Sequence, residues 1–294
     1  MHLCRTDFII GKARIEFVTK VGQNCEEKFN CFCRLFMIKL IKQQYKRVTY
    51  RGKTMRIYAI GDLHFSGVPE TKPMTVFGEH WENHRQKIIE NWKQTVAPED
   101  TVIMCGDISW AMKLTDAVKD DLQYIADLPG KKVILRGNHD YWWAGLAKMR
   151  QATGNAFFFL QNNFYPVPTE AGKLAVCGSR GWLTPVCEGY DPETDDSILR
   201  HEEQRIRASL HAARQEGYED IILALHYPPL YSAEENSVFN QLIQEYNVKT
   251  CVFGHVHGAE GAAAIFEGEK SGCFYKLVSC DTQNFTPVLI LQTS

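Results

Sequence analysis

The chain has 294 residues, 45% hydrophobic and 23% charged, a composition that excludes disorder, collagen-like repeats and a small disulfide scaffold. Its formal net charge of -2 conceals an asymmetry: residues 1–54 hold 12 of the 33 Lys+Arg and 4 of the 35 Asp+Glu, a net of +8, which leaves -10 for residues 55–294. The larger part has no global positive field to draw in nucleic acid, so a polyanionic ligand there needs a local positive centre.

The basic stretch 1–54 has no clean period of 2 or 3.6 and collects four of the ten cysteines. It reads as an N-terminal extension. Upstream sequence translated from a start called too early, with Met55 the natural first residue, is the expectation preferred over an appendage with its own partner. Its longest apolar run, 31–41, is interrupted by Arg34 and Lys39 and falls short of the ~20 residues a bilayer requires. The opening residues lack the apolar core and small-residue cleavage site of a secretory signal. Cysteines without CxxC pairs or regular spacing read as reduced thiols, and a cytoplasmic location is expected.

From Met55 onward, short apolar runs alternate with helical patterns, the pattern of an α/β chain forming a domain over 55–294. Strands are predicted at 56–60, 101–105, 132–135, 174–177, 221–225 and 250–253, with 274–279 and 287–291 as antiparallel closing strands. One helical stripe contains Trp81, Ile88 and Trp92, with Arg85 and Ile89 beside them. Another contains Leu199, Ile206 and Leu210, after a start at 194–197.

The residues after these strands form a series: Gly61-Asp62-Leu63-His64, Gly106-Asp107, Gly137-Asn138-His139-Asp140, His226, and Gly254-His255-Val256-His257-Gly258. In α/β sheets ligands bind at that edge, so residues nearly 200 positions apart can converge on one crevice. Carboxylates, imidazoles and an amide oxygen without cysteine suit Mn, Fe, Zn, Co or Ni rather than a thiolate site. Taken as strand residues, Asp62 and His64 point to one side, as do His255 and His257. Seven such ligands exceed one tetrahedral ion but suit two ions sharing a bridging carboxylate.

In this order the motifs resemble the calcineurin-like metallophosphoesterase superfamily over residues 55 to about 291. Gly106-Asp107-Ile108-Ser109-Trp110-Ala111-Met112 and Gly137-Asn138-His139-Asp140-Tyr141-Trp142-Trp143 are similar to those of a compact group of bacterial predicted phosphohydrolases. The resemblance implies a four-layer αββα sandwich and two divalent metal ions, with Mn²⁺ expected. Asp62, His64 and His257 would hold the first ion, Asn138, His226 and His255 the second, and Asp107 would bridge them. A hydroxide supplied by the two ions would attack a phosphate mono- or diester, small or nucleotide-like, with His139 protonating the leaving oxygen. Asp140 is left open, between orienting His139 and capping its loop.

Family members that dephosphorylate proteins carry an Arg after the second motif and a Glu ending the third, where this chain has Ile108 to Ala111 and Asp140. Lipid A pathway hydrolases tend to have Arg in place of the catalytic histidine. Arg180, after the strand at 174–177, is a candidate to grip a non-reacting phosphate oxygen, with a surface salt bridge as the alternative. The tryptophans after strand ends, Trp110, Trp142, Trp143 and Trp182, are read as core before stacking wall. The alternatives to the esterase are a nuclease, disfavoured by the missing basic track, and a metal-bound interaction module without turnover. The expected partner is a small phosphoester, with no membrane and no long nucleic acid.

Overall fold

The computed structural model describes residues 2–10, 13–21, 54–169 and 172–293. The chain divides into two compact units, Met1–Lys53 and Thr54–Ser294. In the first, β1 (His2–Ile10) and β2 (Ala13–Val21) pair as an antiparallel hairpin that the sequence pattern does not announce. The rest of the basic stretch, including the apolar run 31–41, lies outside the described residues. Among the described residues, no helix is long and apolar enough to cross a membrane.

The second unit is built on two mixed sheets. One has the order β13-β3-β4-β5-β6, in which β3 (Met55–Ile60), β4 (Thr101–Met104), β5 (Lys131–Ile134) and β6 (Phe157–Phe159) run parallel, and β13 (Val288–Thr293) pairs antiparallel with β3. The other has the order β11-β12-β10-β9-β8-β7. Its parallel centre is β8 (Leu174–Ser179), β9 (Asp220–Leu225), β10 (Thr250–Phe253) and β12 (Cys273–Leu277). Antiparallel edges are supplied by β7 (Phe164–Val167) and β11 (Gly268–Lys270).

Strand alternation explains the layering. Ile57, Ala59, Ile103 and Val133 meet Val176, Ile222, Ala224 and Val252 between the sheets. Their neighbours Tyr58, Ile60, Val102 and Met104 face outward onto Trp81, Ile88 and Trp92, the last two on α1 (His84–Thr95). On the far side, Ala175, Leu223 and Phe253 pack on Leu199, Ile206 and Leu210 of α2 (Pro192–Gln215) and Phe239 of α3 (Val238–Glu245). Strands covered on both faces read as nearly continuous apolar runs, and β4 and β8 are buried at every position. The result is the αββα sandwich.

Two expectations are corrected. The strand predicted at 274–279 as antiparallel is β12, which runs parallel to β10, because the chain passes through a short helix and the reversed edge strand β11 before returning. The helix predicted to start at 194–197 begins at Pro192, since Asp191 caps it by accepting a hydrogen bond from Glu193 N and proline suits the first helical position.

Candidate metal centre

The parallel strands deliver their C-terminal ends to one edge, where backbone hydrogen bonds lace the following loops together. Asp62 N donates to Gly106 O (2.9 Å), His64 N to Asp107 O (2.9 Å) and Cys280 N to Gly61 O (3.0 Å). Four of the site residues turn the chain in the left-handed region: Asp62 (φ 59°), His64 (φ 49°), Asp107 (φ 52°) and His255 (φ 73°). Asp62 and His64 therefore do not share a face as strand residues do. They lie past the strand, with Leu63 between them buried in the core. Close packing fixes two of the glycines: a Cβ on Gly137 would sit 2.0 Å from Asp107 Oδ1, and one on Gly254 would sit 2.3 Å from Asp62 Oδ2.

The seven candidate ligands form two adjoining groups. In the first, His64 Nε2 lies 3.3 Å from His257 Nε2, and His257 Nε2 lies 3.9 Å from Asp62 Oδ1. Ser279 Oγ donates to Asp62 Oδ2 (2.8 Å), and His255 N donates to the same carboxylate (3.0 Å). In the second, Asn138 Oδ1 lies 2.6 Å from His226 Nε2 and 3.1 Å from His255 Nδ1, and the two imidazole nitrogens are 3.2 Å apart. Asp107 stands between the groups. Its Oδ2 is 3.8 Å from His64 Nε2 and 3.6 Å from His226 Nε2, while its Oδ1 accepts from His139 N (2.8 Å).

Hydrogen bonding decides which nitrogens face inward. His226 Nδ1 must donate to the Cys105 carbonyl (2.9 Å), because a carbonyl only accepts. Its Nδ1 is thereby occupied, so the 3.8 Å approach of that atom to Asp62 is not a ligand contact. Burial pushes the His226 imidazole down to about 3, so Nε2 is a bare lone pair facing another acceptor, Asn138 Oδ1. Such a pair is repulsive unless a cation joins it. Two donors each ~2.1 Å from one ion are ~3.0–3.4 Å apart at octahedral or tetrahedral angles, the range spanned by the 3.2 and 3.3 Å approaches here.

The electrostatics point the same way. Burial lifts the Asp62 carboxyl to about 8 and the Asp107 carboxyl to about 6, and lowers His255 to about 2. Burial also lowers His64. For His257 burial pulls downward, but the hydrogen bond to Asp281 and the charge of Asp62 outweigh it and raise the imidazole to about 9. Carboxyls held in so buried a place favour a positive charge beside them, and divalent ions suit that place. The residues fit two metal ions.

His139 stands outside both groups. Its ring packs on Trp110 at 4.3 Å and lies 5.8 Å from the His64 ring, half-buried, with Nδ1 unpartnered. Asp140 does not touch that imidazole. It accepts from Asp107 N (2.9 Å), Gly137 N (2.8 Å), Ile108 N (2.9 Å), Ser109 N (3.3 Å) and Trp142 Nε1 (2.9 Å), and so ties the second and third motifs together. The open question about Asp140 is answered in favour of the loop.

A cavity of about 340 Å³ opens beside the first group, walled by Phe77, Trp81, Trp110 and His139. His80, given no role by the sequence, lines it too. Trp142 is core, whereas Trp110 stacks on His64 at 4.9 Å and 22°. Arg180 lines a different cavity and lies 3.7 Å from Glu202. Asp281, which the motif reading missed, receives His257 Nδ1–H (3.0 Å) and Gly258 N–H (2.8 Å). It follows the run at 274–279, so the strand-end rule that found the other residues applies to it as well.

Residues 55–259 match the sequence profile of the family described as calcineurin-like phosphoesterase. No curated protein is similar enough to count as a relative. Among solved structures, the chain is similar to a protein of unknown function from Aquifex aeolicus, with 17% identity, a TM-score of 0.43 and coverage of 80% of this chain and 95% of that one. A Thermus thermophilus protein gives 13% identity, a TM-score of 0.48 and coverage of 81% and 99%. A structure described as a novel archaeal phosphodiesterase gives 15% identity, a TM-score of 0.32 and coverage of 80% and 99%.

Proposed function

Given that the chain belongs to the calcineurin-like phosphoesterase family, we propose that it hydrolyses a small phosphate mono- or diester with two divalent metal ions. One observation carries this reading: Asp107 Oδ2 lies within 4 Å of donor atoms of both groups, as a shared carboxylate must. Asp62, His64 and His257 would hold one ion, Asn138, His226 and His255 the other, and Asp107 both. The ions would polarise the phosphoryl oxygens and ready a water for in-line attack.

The protein's own groups supply the remainder. His139, on the cavity side of the cluster and steadied by Trp110, is placed to give a proton to the departing ester oxygen. Phe77 and Trp110 offer flat apolar surface to the organic part of the ester, which favours a planar or nucleotide-like group. Asp281 holds the His257 tautomer that leaves Nε2 free.

Purified protein loaded with manganese is expected to carry close to two ions per chain and to hydrolyse an aryl phosphate monoester or the matched diester, with activity lost on chelation. No bound metal under loading conditions would overturn the reading. Asp281→Asn is expected to weaken metal binding by about 10–100-fold, read by competition with a chromophoric chelator. Unchanged affinity would mean that His257 is oriented by something else.

A further inference from the structure

A second cavity, of about 240 Å³, is lined by residues that follow the same strand ends, among them Arg136, Gln161 and Arg180. Its walls carry Arg136, which immediately precedes Gly137-Asn138, Arg180 after β8, and Arg205 on α2. Among the described residues, Glu202 is its only acidic lining residue. That carboxylate is heavily committed: it accepts from Ser179 Oγ (2.6 Å) and Gly181 N (3.2 Å), and lies 3.7 Å from both Arg180 and Arg205. Three guanidiniums against one carboxylate leave two positive charges in excess. Moreover, the Nε atoms of both Arg136 and Arg180 are buried with no hydrogen-bond partner. Buried guanidinium N–H groups without acceptors are costly, and a planar fork is suited to oxyanions.

The cavity is joined to the metal centre through the backbone. His226 N and Tyr227 N both donate to Arg180 O at 2.9 Å, and the Arg180 charge reaches Asp107 and His226. The cavity is thus tied to the loop that carries His226.

We infer that the Arg136–Arg180–Arg205 cavity binds a second phosphate of the substrate, so that the preferred ester carries another phosphate besides the one that is hydrolysed. This rests on the phosphoesterase reading for its use in turnover, but the binding itself does not need the metals. An excess of two positive charges matches a phosphate dianion better than a single carboxylate, and the terminal N–H groups of a guanidinium fork suit its oxygens. The aromatic cavity beside the first donor group leaves room for the organic portion.

The test separates the two readings. Inorganic phosphate is titrated by calorimetry into the metal-free protein, so that no metal-bound phosphate contributes to the heat. Wild type is expected to bind it, Arg205→Ala at least tenfold more weakly, and Arg136→Ala/Arg205→Ala not at all. Because Arg205 is about half exposed on α2, its removal leaves the fold intact, which a thermal melt checks. Equal phosphate binding by wild type and both variants, or none by wild type, overturns the inference. With manganese loaded, the preference in kcat/KM for an aryl ester bearing a second phosphate over the plain aryl ester is expected to fall at least tenfold in Arg205→Ala. An unchanged preference overturns the role in substrate choice. Failure to hydrolyse either ester would count against the phosphoesterase reading alone, since the metal-free titration still reports on the cavity.

Discussion

His139→Ala is expected to lower kcat by about 10²–10⁴-fold on an aryl phosphate while leaving metal content at the wild-type level. The separation follows from how the residue is attached. Its backbone N–H, which alanine retains, donates to Asp107 Oδ1, whereas its imidazole touches neither donor group and packs on Trp110. Removing the ring therefore takes away a proton donor without loosening the shared carboxylate. Metal analysis beside steady-state kinetics checks it. If metal and activity fall together, the ring is structural, and if neither falls, the proton comes from another group.

Asp140→Ala is expected to be the most damaging substitution away from the ligands. Five donors from the second and third motifs converge on one buried carboxylate, and alanine leaves them facing each other without an acceptor. Stranded buried donors cost roughly 1–3 kcal/mol each, with partial relief as the loops relax, so a loss of about 4 kcal/mol or more is expected. For a unit of this size that corresponds to a melting point lower by roughly 10 °C. Metal binding should weaken as well, because Asp107 and Asn138 lose their common anchor. Asp140→Asn should recover little, since its single acceptor oxygen cannot serve all five N–H groups. A melt within about 2 °C of wild type would show that the loops are held elsewhere.

The sandwich was legible because doubly covered strands read as nearly continuous apolar runs, and β4, β9 and β10 announce themselves that way after their first residue. The convergence of Asp62, Asp107, Asn138 and His226 was legible because each follows such a run. What escaped was set by long-range contacts. The direction of β12 depends on an excursion through residues 258–270 that carries no strong pattern. Arg205 sits on a helix face that looks merely solvated, and only the fold brings it near Arg136. Asp140 reads as part of a ligand motif, yet three of its five partners are backbone N–H groups of a segment some thirty residues earlier.

The left-handed corners at Asp62, His64, Asp107 and His255 also limit the alphabet from which this centre can be written. Apart from glycine, the side chains that most readily accept that backbone are asparagine, aspartate and histidine. Those same three supply oxygen and imidazole donors to hard and borderline cations. Conformational tolerance and coordination chemistry thus select the same letters at the same places. Cysteine, the other common metal ligand, is not favoured by such corners, and of the six cysteines in residues 55–293 five are buried and none is among the candidate ligands. A change of this centre to thiolate chemistry would require a different set of turns before it required a different set of ligands.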